Sequence, residues 1–171
     1  MKAAVCYEFN KPLVVEELEM DRPQRGEVKV RLAATAVCHS DIHFINGELG
    51  GKTPFVPGHE SSGYVEEVGE GVTSVNRGDA VVVSWLRSCG LCPYCRTGRP
   101  HMCEAKWPLD TESRMRNQRG QPVGHGLRVA SLAEYAIVDK SQVVRIPNDM
   151  PMDRAALLGC GVITGFGAVV N

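Results

Sequence analysis

The chain has 171 residues, 43% of them hydrophobic and 23% charged, and 19 Lys and Arg nearly balance 20 Asp and Glu to leave a formal net charge of −1. This composition excludes a disordered chain, and it offers no basic surplus that would attract nucleic acid. The length suffices for one domain with its own core, or for one domain and the beginning of a second.

Strand patterns dominate the first half of the chain. Alternating and β-branched residues predict strands in KAAVCYEF (2–9), LVVEELEM (13–20), EVKVRLAATAV (27–37), SSGYVEEVGEGV (61–72) and DAVVVSW (79–85). A helix is expected from Cys38 to Ile45, followed by a loop from Asn46 to Pro57. Short strands at turn-rich intervals predict a mainly β fold with a barrel-like architecture.

No strand or helix pattern is visible between Arg87 and Arg128, a stretch that we call the four-cysteine segment. So long a stretch without its own pattern is usually either functional or disordered. Arg114, Arg116 and Arg119 lie within it and are expected in a solvated loop. Strand patterning returns in SLAEYAIVD (131–139) and SQVVRIP (141–147), and DRAALLG (153–159) predicts a short helix capped by Asp153.

The cellular context expected from the sequence is a reducing one. The first nine residues lack the apolar run of a secretory signal, so we expect a cytoplasmic protein in which cysteines seldom pair. The most apolar stretch, Ala155 to Val170, is broken by four glycines and is too short to cross a bilayer. No membrane partner is therefore expected, and seven cysteines point to metal rather than to disulfides.

Four of the cysteines form a metal-binding pattern within the four-cysteine segment. Cys89, Cys92, Cys95 and Cys103 are separated by two, two and seven residues, a spacing at which thiolates can close a tetrahedron around a structural zinc. Iron–sulfur ligation is the alternative, although cluster motifs that begin C-x₂-C-x₂-C usually continue after three residues with Cys-Pro. In either case the metal would organise a stretch that has little core of its own.

A second constellation combines residues from three places in the sequence. Taken singly, a cysteine is more often a small buried hydrophobe, and a histidine more often a packed or surface group. Together, Cys38, His59 and Cys160 supply two thiolates and an imidazole, and Glu60 adds a nearby carboxylate. Such a set could hold a catalytic zinc and leave one position for an exchangeable ligand.

With these motifs the chain resembles the medium-chain zinc-dependent alcohol dehydrogenases. GHESSGYVEEVGEGV (58–72) fits the zinc signature of that family, and Cys38, the four cysteines and GCGVITGFG (159–167) follow in its order and spacing. The resemblance implies a catalytic domain over 1–160, built as a GroES-like, partly open β-barrel, with the four-cysteine segment as a zinc-binding lobe at about 87–128. Residues 161–171 would begin the linker or helix that leads into a nicotinamide-binding Rossmann domain.

The resemblance also implies a role for each matching residue and two zinc ions per chain. The catalytic zinc would be held by Cys38, His59 and Cys160, and the structural zinc by Cys89, Cys92, Cys95 and Cys103. Ser40 would take the alcohol proton, His43 would relay it to solvent, and Glu60 would approach the metal during ligand exchange. Asp41 would orient His59 by a hydrogen bond. The remaining matches are His39 with the cofactor pyrophosphate, Thr164 with the nicotinamide, and Trp85 with the substrate pocket.

The implied function interconverts alcohols with aldehydes or ketones by hydride transfer to or from NAD or NADP, in a full-length homodimer or homotetramer. The sequence contains no G-x-G-x-x-G turn between a strand and a helix, so we expect a catalytic-domain fragment that is inactive by itself. Two alternatives stay open at this point: a zinc-stabilised GroES-like interaction module, and a zinc-free quinone reductase of the same superfamily. An interaction module would have no reason to combine Ser40, Asp41, His43 and Glu60.

Overall fold

The computed structural model describes residues 1–171, and most of its regular structure is β. The strands are β1 Lys2–Val5, β2 Val14–Met20, β3 Glu27–Ala36, β4 Phe55–Val56, β5 Glu60–Val68, β6 Ala80–Val83, β7 Met115–Asn117, β8 Gly124–His125, β9 Tyr135–Asp139 and β10 Val143–Arg145. The α-helices are α1 His39–Ile45, α2 Pro93–Arg96, α3 Met152–Leu157 and α4 Gly161–Val170. None of the helices has the length and apolar character needed to span a membrane.

Five antiparallel strands form the main sheet, in the order β10-β6-β5-β3-β9. The register between β3 and β5 shifts at Lys29/Val30 and again at Leu32/Ala34. Such irregularities bend a strand and increase its twist, so they curl the sheet into a half-barrel. The inward side chains are mainly valines, and they form a core with Val28, Val30, Val65, Val81, Val83 and Val138 fully or almost fully buried. The predicted mainly β, partly open barrel is thus confirmed.

A three-stranded sheet, β1-β2-β7, and a parallel pair, β4-β8, complete the body. Strands β7 and β8 lie inside the four-cysteine segment, where the sequence shows no strand pattern. With three and two residues they are too short to display a period, and each pairs with a strand far away in the chain. Met115 of β7 is fully buried in a second core beside Val5 and Val56. The later part of the segment therefore belongs to the body of the fold.

Arg116 and Arg119 are exposed as expected, although Arg116 lies in strand β7 rather than in a loop. Arg114, by contrast, contradicts the expected solvated loop. Its guanidinium is buried, and its Nη2 and Nε donate to the Glu27 carboxylate at 2.8 and 3.0 Å. These hydrogen bonds raise the pKa of Arg114, and Nη1 adds a contact to the more exposed Glu112 at 3.0 Å. The pair ties the start of β3 to β7.

Helix α3 brings the end of the chain against the main sheet. It begins after Pro151, so Asp153 lies in its first turn, and the expectation that Asp153 caps the helix is wrong. The Ser62 hydroxyl of β5 donates to the Met152 carbonyl at 2.6 Å. A side chain at Gly159 would meet the Val83 carbonyl at 2.7 Å, so this glycine allows the chain to pass close to β6 just before Cys160.

Candidate metal centres

Three elements that are distant in sequence bring together Cys38, His59 and Cys160, which we call the three-ligand cluster. Cys38 is the N-cap of α1, His59 joins β4 to β5, and Cys160 joins α3 to α4. Their ligand atoms all lie within 4.8 Å of one another, and the two Sγ atoms are 3.9 Å apart. Zinc–sulfur bonds of about 2.3 Å in a tetrahedron separate two sulfurs by about 3.8 Å. The two thiols are thus already spaced to share one ion.

Asp41 orients the histidine of this cluster. Its Oδ1 lies 3.1 Å from His59 Nδ1 and accepts the Gly58 N–H at 2.9 Å, while Oδ2 accepts the Cys38 N–H at 3.0 Å. All of these bonds are satisfied when His59 carries its proton on Nδ1, which leaves Nε2 with a free lone pair. Gly58 has φ +99°, and a Cβ there would come within 2.6 Å of the Leu132 nitrogen, so the turn before His59 requires glycine.

The two thiols of the three-ligand cluster differ in their tendency to ionise. Burial opposes ionisation of Cys38, but hydrogen bonds from Ser40 and Cys160 help to outweigh it and lower the pKa of Cys38. Burial and the neighbouring Cys38 charge raise the pKa of Cys160 to about 11. Cys38 is therefore the thiol that ionises more readily, and Cys160 keeps a proton near neutral pH that a divalent cation would displace on binding.

Glu60 is buried next to the three-ligand cluster. Its Oε1 accepts the backbone N–H of Gly161 at 2.9 Å, and a Cβ on Gly161 would lie 3.1 Å from the same oxygen. The carboxylate is therefore held beside Cys160 by the first residue of α4.

The four cysteines of the four-cysteine segment also converge. The Sγ atoms of Cys89, Cys92, Cys95 and Cys103 all lie within 4.8 Å of one another. Cys92 and Cys103 are 3.8 Å apart, the separation expected when two sulfurs bind the same ion. Backbone N–H groups of Leu91 and Cys92 point at Cys89 Sγ at 3.4 and 3.3 Å. Further N–H donors, that of Cys95 foremost, lower the pKa of Cys92 to about 6.

The part of the chain around these four cysteines has no core. None of the residues 88–108 is buried, and α2 is a single turn. At its edge, the buried Arg87 donates to Gln142 at 2.8 Å, to Asp110 at 2.6 Å and to the Arg128 carbonyl at 3.2 Å. The lobe is thus anchored to the body at its base, but its outer part has no buried side chain to order it, only local hydrogen bonds and the four thiols.

Both donor sets fit zinc. Thiolates and imidazole are ligands that zinc prefers, and a set of four cysteines fills its tetrahedral coordination. The three-ligand cluster supplies three ligands and leaves one position open, which is the arrangement of a catalytic site.

Of the other residues singled out from the sequence, Ser40 and Thr164 contact cysteines of the three-ligand cluster, whereas His39, His43 and Trp85 lie against other side chains. Ser40 contacts Cys38, and the Thr164 N–H, one turn into α4, donates to the Cys160 carbonyl at 2.9 Å. The rings of His39 and His43 stack on α1, and Trp85 follows β6 with the Arg128 guanidinium 5.9 Å above its ring. Sequence reasoning missed Glu48, which binds His43.

A family model and two sequence relatives all identify this chain as similar to alcohol dehydrogenases. A family model described as the alcohol dehydrogenase GroES-like domain matches residues 24–148. The chain is 42% identical over 175 residues to putative alcohol dehydrogenase D of Mycobacterium tuberculosis and 39% identical over 181 residues to alcohol dehydrogenase 1 of Pisum sativum. Each match covers 99% of this chain and 47% of the relative.

Solved structures agree with the sequence matches. The alcohol dehydrogenase zinc-binding domain protein from Burkholderia ambifaria superposes with a TM-score of 0.92 at 31% identity, over 99% of this chain and 48% of that one. Benzyl alcohol dehydrogenase from Acinetobacter calcoaceticus superposes with a TM-score of 0.86 at 32% identity, over 99% and 47%. The chain therefore spans about half the length of the relatives that it matches.

Proposed function

Because the chain belongs to the medium-chain alcohol dehydrogenase family through its GroES-like domain, we propose that it is the catalytic-domain portion of a zinc-dependent alcohol dehydrogenase. The observation that carries this proposal is the convergence of Cys38, His59 and Cys160, with Asp41 hydrogen-bonded behind His59. An interaction module would need the four-cysteine cluster for stability but would not need this second cluster.

In this proposal zinc occupies both clusters. Cys38, His59 and Cys160 hold the catalytic ion, and Cys89, Cys92, Cys95 and Cys103 hold a structural ion. The catalytic zinc supplies Lewis-acid chemistry that favours loss of the alcohol proton or polarises a carbonyl oxygen. Asp41 fixes the tautomer of His59, and the buried Glu60 places a negative charge beside the ligand Cys160.

Ser40 and His43 form the proposed route for the proton. They lie three residues apart on α1 and therefore on the same side of that helix. Ser40, next to Cys38, accepts the alcohol proton at Oγ, and His43, whose side chain is 44% exposed, passes it to solvent. Contact with Cys38 suits the first role, and exposure suits the second.

The hydride acceptor or donor in this proposal is NAD or NADP, held by a further domain of the whole protein. His39, exposed at the start of α1, would meet the cofactor pyrophosphate, and Thr164, exposed on α4, would lie beside the nicotinamide. Trp85 would line the pocket for a small alcohol, aldehyde or ketone. Assembly into a homodimer or homotetramer and a cytoplasmic location belong to the same proposal.

The proposed function is tested with a chimera in which this chain is joined to the C-terminal half of the Acinetobacter benzyl alcohol dehydrogenase. We expect nicotinamide-dependent oxidation of benzyl alcohol or ethanol by the chimera and no such rate from the 171-residue chain alone. Ser40→Ala should lower kcat by about 10² to 10⁴, the usual contribution of a positioned proton acceptor. Ser74→Ala, at an exposed serine elsewhere, is the matched control and should leave kcat unchanged. A chimera that carries zinc and binds cofactor but oxidises no alcohol would contradict the proposal.

A further inference from the structure

Two histidines stand side by side on helix α1, outside both cysteine clusters. His39 and His43 are four residues apart, and their ring centres are 4.6 Å apart with planes inclined by 27°. Residues with this spacing share one face of a helix. His39 is exposed and the His43 side chain is 44% exposed, so an ion in solvent can reach both rings.

Glu48 fixes the orientation of His43. One carboxylate oxygen of Glu48 is hydrogen-bonded to His43 Nδ1, and the other accepts the Asn46 side-chain amide at 3.0 Å. The Glu48 N–H also donates to the His43 carbonyl at 3.0 Å, across a turn in which Gly47 has φ +78°. With Nδ1 engaged by the carboxylate, Nε2 of His43 is the nitrogen left to bind another group. A histidine that ligates a metal usually has its second nitrogen held in this way.

We propose that His39 and His43 form a third metal-binding site, which takes an exchangeable divalent transition-metal ion and in which Glu48 positions His43. Imidazole nitrogens suit Zn²⁺, Ni²⁺ and Cu²⁺. Metal–nitrogen bonds of about 2.0–2.1 Å require the two nitrogens to lie about 3 to 4 Å apart. The last torsion of a histidine side chain has broad minima, so rotation of the His39 ring, whose centre is already 4.6 Å from that of the fixed His43 ring, can bring the two nitrogens to this separation.

The expected occupancy of this site is reversible. Only two protein ligands contribute, and water fills the remaining positions, whereas the cysteine clusters offer three and four ligands. An ion at the site takes the Nε2 lone pair of His43 and blocks access to His39. If the proposed function holds, a rise in free metal therefore inhibits alcohol oxidation by removing the proton relay. This consequence rests on the proposed function, but the binding site does not.

Calorimetric titration of the 171-residue chain with Ni²⁺, after zinc loading, tests the site directly. We expect one Ni²⁺ per chain to bind without displacing zinc, which is measured before and after the titration. His39→Gln and His43→Gln should each abolish this binding, and Glu48→Gln should weaken it by about 10- to 100-fold. His101→Gln removes an exposed histidine outside the site and should change nothing.

Two results would overturn the site: wild-type protein that takes up no Ni²⁺, or uptake that His39→Gln and His43→Gln leave unchanged. Neither result depends on alcohol oxidation, so failure of the site and failure of the proposed function are distinguishable.

Discussion

Replacing Cys92 and Cys103 together by alanine should unfold the outer part of the four-cysteine segment and leave the sheets intact. Residues 88–108 bury no side chain, so their order depends on the ion that the four thiols hold. Structural zinc sites in small peptides contribute about 10–16 kcal/mol, far more than the few contacts of α2 could supply. The loss should appear as rapid proteolytic cleavage within residues 88–108, together with unchanged far-ultraviolet circular dichroism from the β-sheets.

Cys6→Ala is the matched control for this experiment. Cys6 is fully buried in the body and takes part in neither cluster, so its substitution should leave the segment resistant to protease. If the double variant stayed as resistant as the wild type, the segment would have to be ordered by its protein contacts, and the structural role of the metal would be wrong.

The second large effect, a loss of free energy of unfolding, is expected when the buried ion pair between Glu27 and Arg114 is broken. Glu27→Ala removes the carboxylate that accepts from Nε and Nη2 of Arg114 and leaves a guanidinium that is only 3% exposed with Glu112 as its remaining partner. Breaking a buried pair from one side typically costs about 3–5 kcal/mol, because the remaining charge is not solvated. The measurement is the free energy of unfolding in urea, at equal zinc content.

Glu112→Ala provides the comparison, because Glu112 binds the same guanidinium from a position where its side chain is 55% exposed. A pair of that kind contributes about 0–1 kcal/mol. Equal losses in the two variants would show that burial of Glu27 does not determine the strength of its interaction with Arg114.

The ion pair between Glu27 and Arg114 could not have been predicted from the sequence. Arg114 lies close to Arg116 and Arg119 in a stretch without periodicity, which favours a solvated loop. Its partner Glu27 is 87 residues away in the sequence, so no local pattern could indicate that the two meet. The long strands β3 and β5 could be predicted because their side chains alternate over many residues. Two- and three-residue strands such as β8 carry no period and form only when a distant strand offers its edge.

The candidate metal centres could be predicted to different degrees. The four cysteines are close in sequence, so their spacing alone indicates a metal site. Cys38, His59 and Cys160 are ordinary residues when taken singly. Their residue types together suggested a zinc site, but they lie far apart in the sequence, and it is the structure that places their ligand atoms within 4.8 Å. The contact between Glu48 and His43 depends on the turn at Gly47, which the sequence alone leaves undetermined.

Counting zinc in the purified chain shows whether it binds two zinc ions at separate cysteine clusters. We predict two per chain in the wild type and in Cys6→Ala, and one in each of two double variants, Cys38→Ala with Cys160→Ala and Cys92→Ala with Cys103→Ala. A wild type with a single zinc that survives loss of Cys38 and Cys160 but not of Cys92 and Cys103 would contradict the catalytic site. A wild type without zinc would contradict both sites.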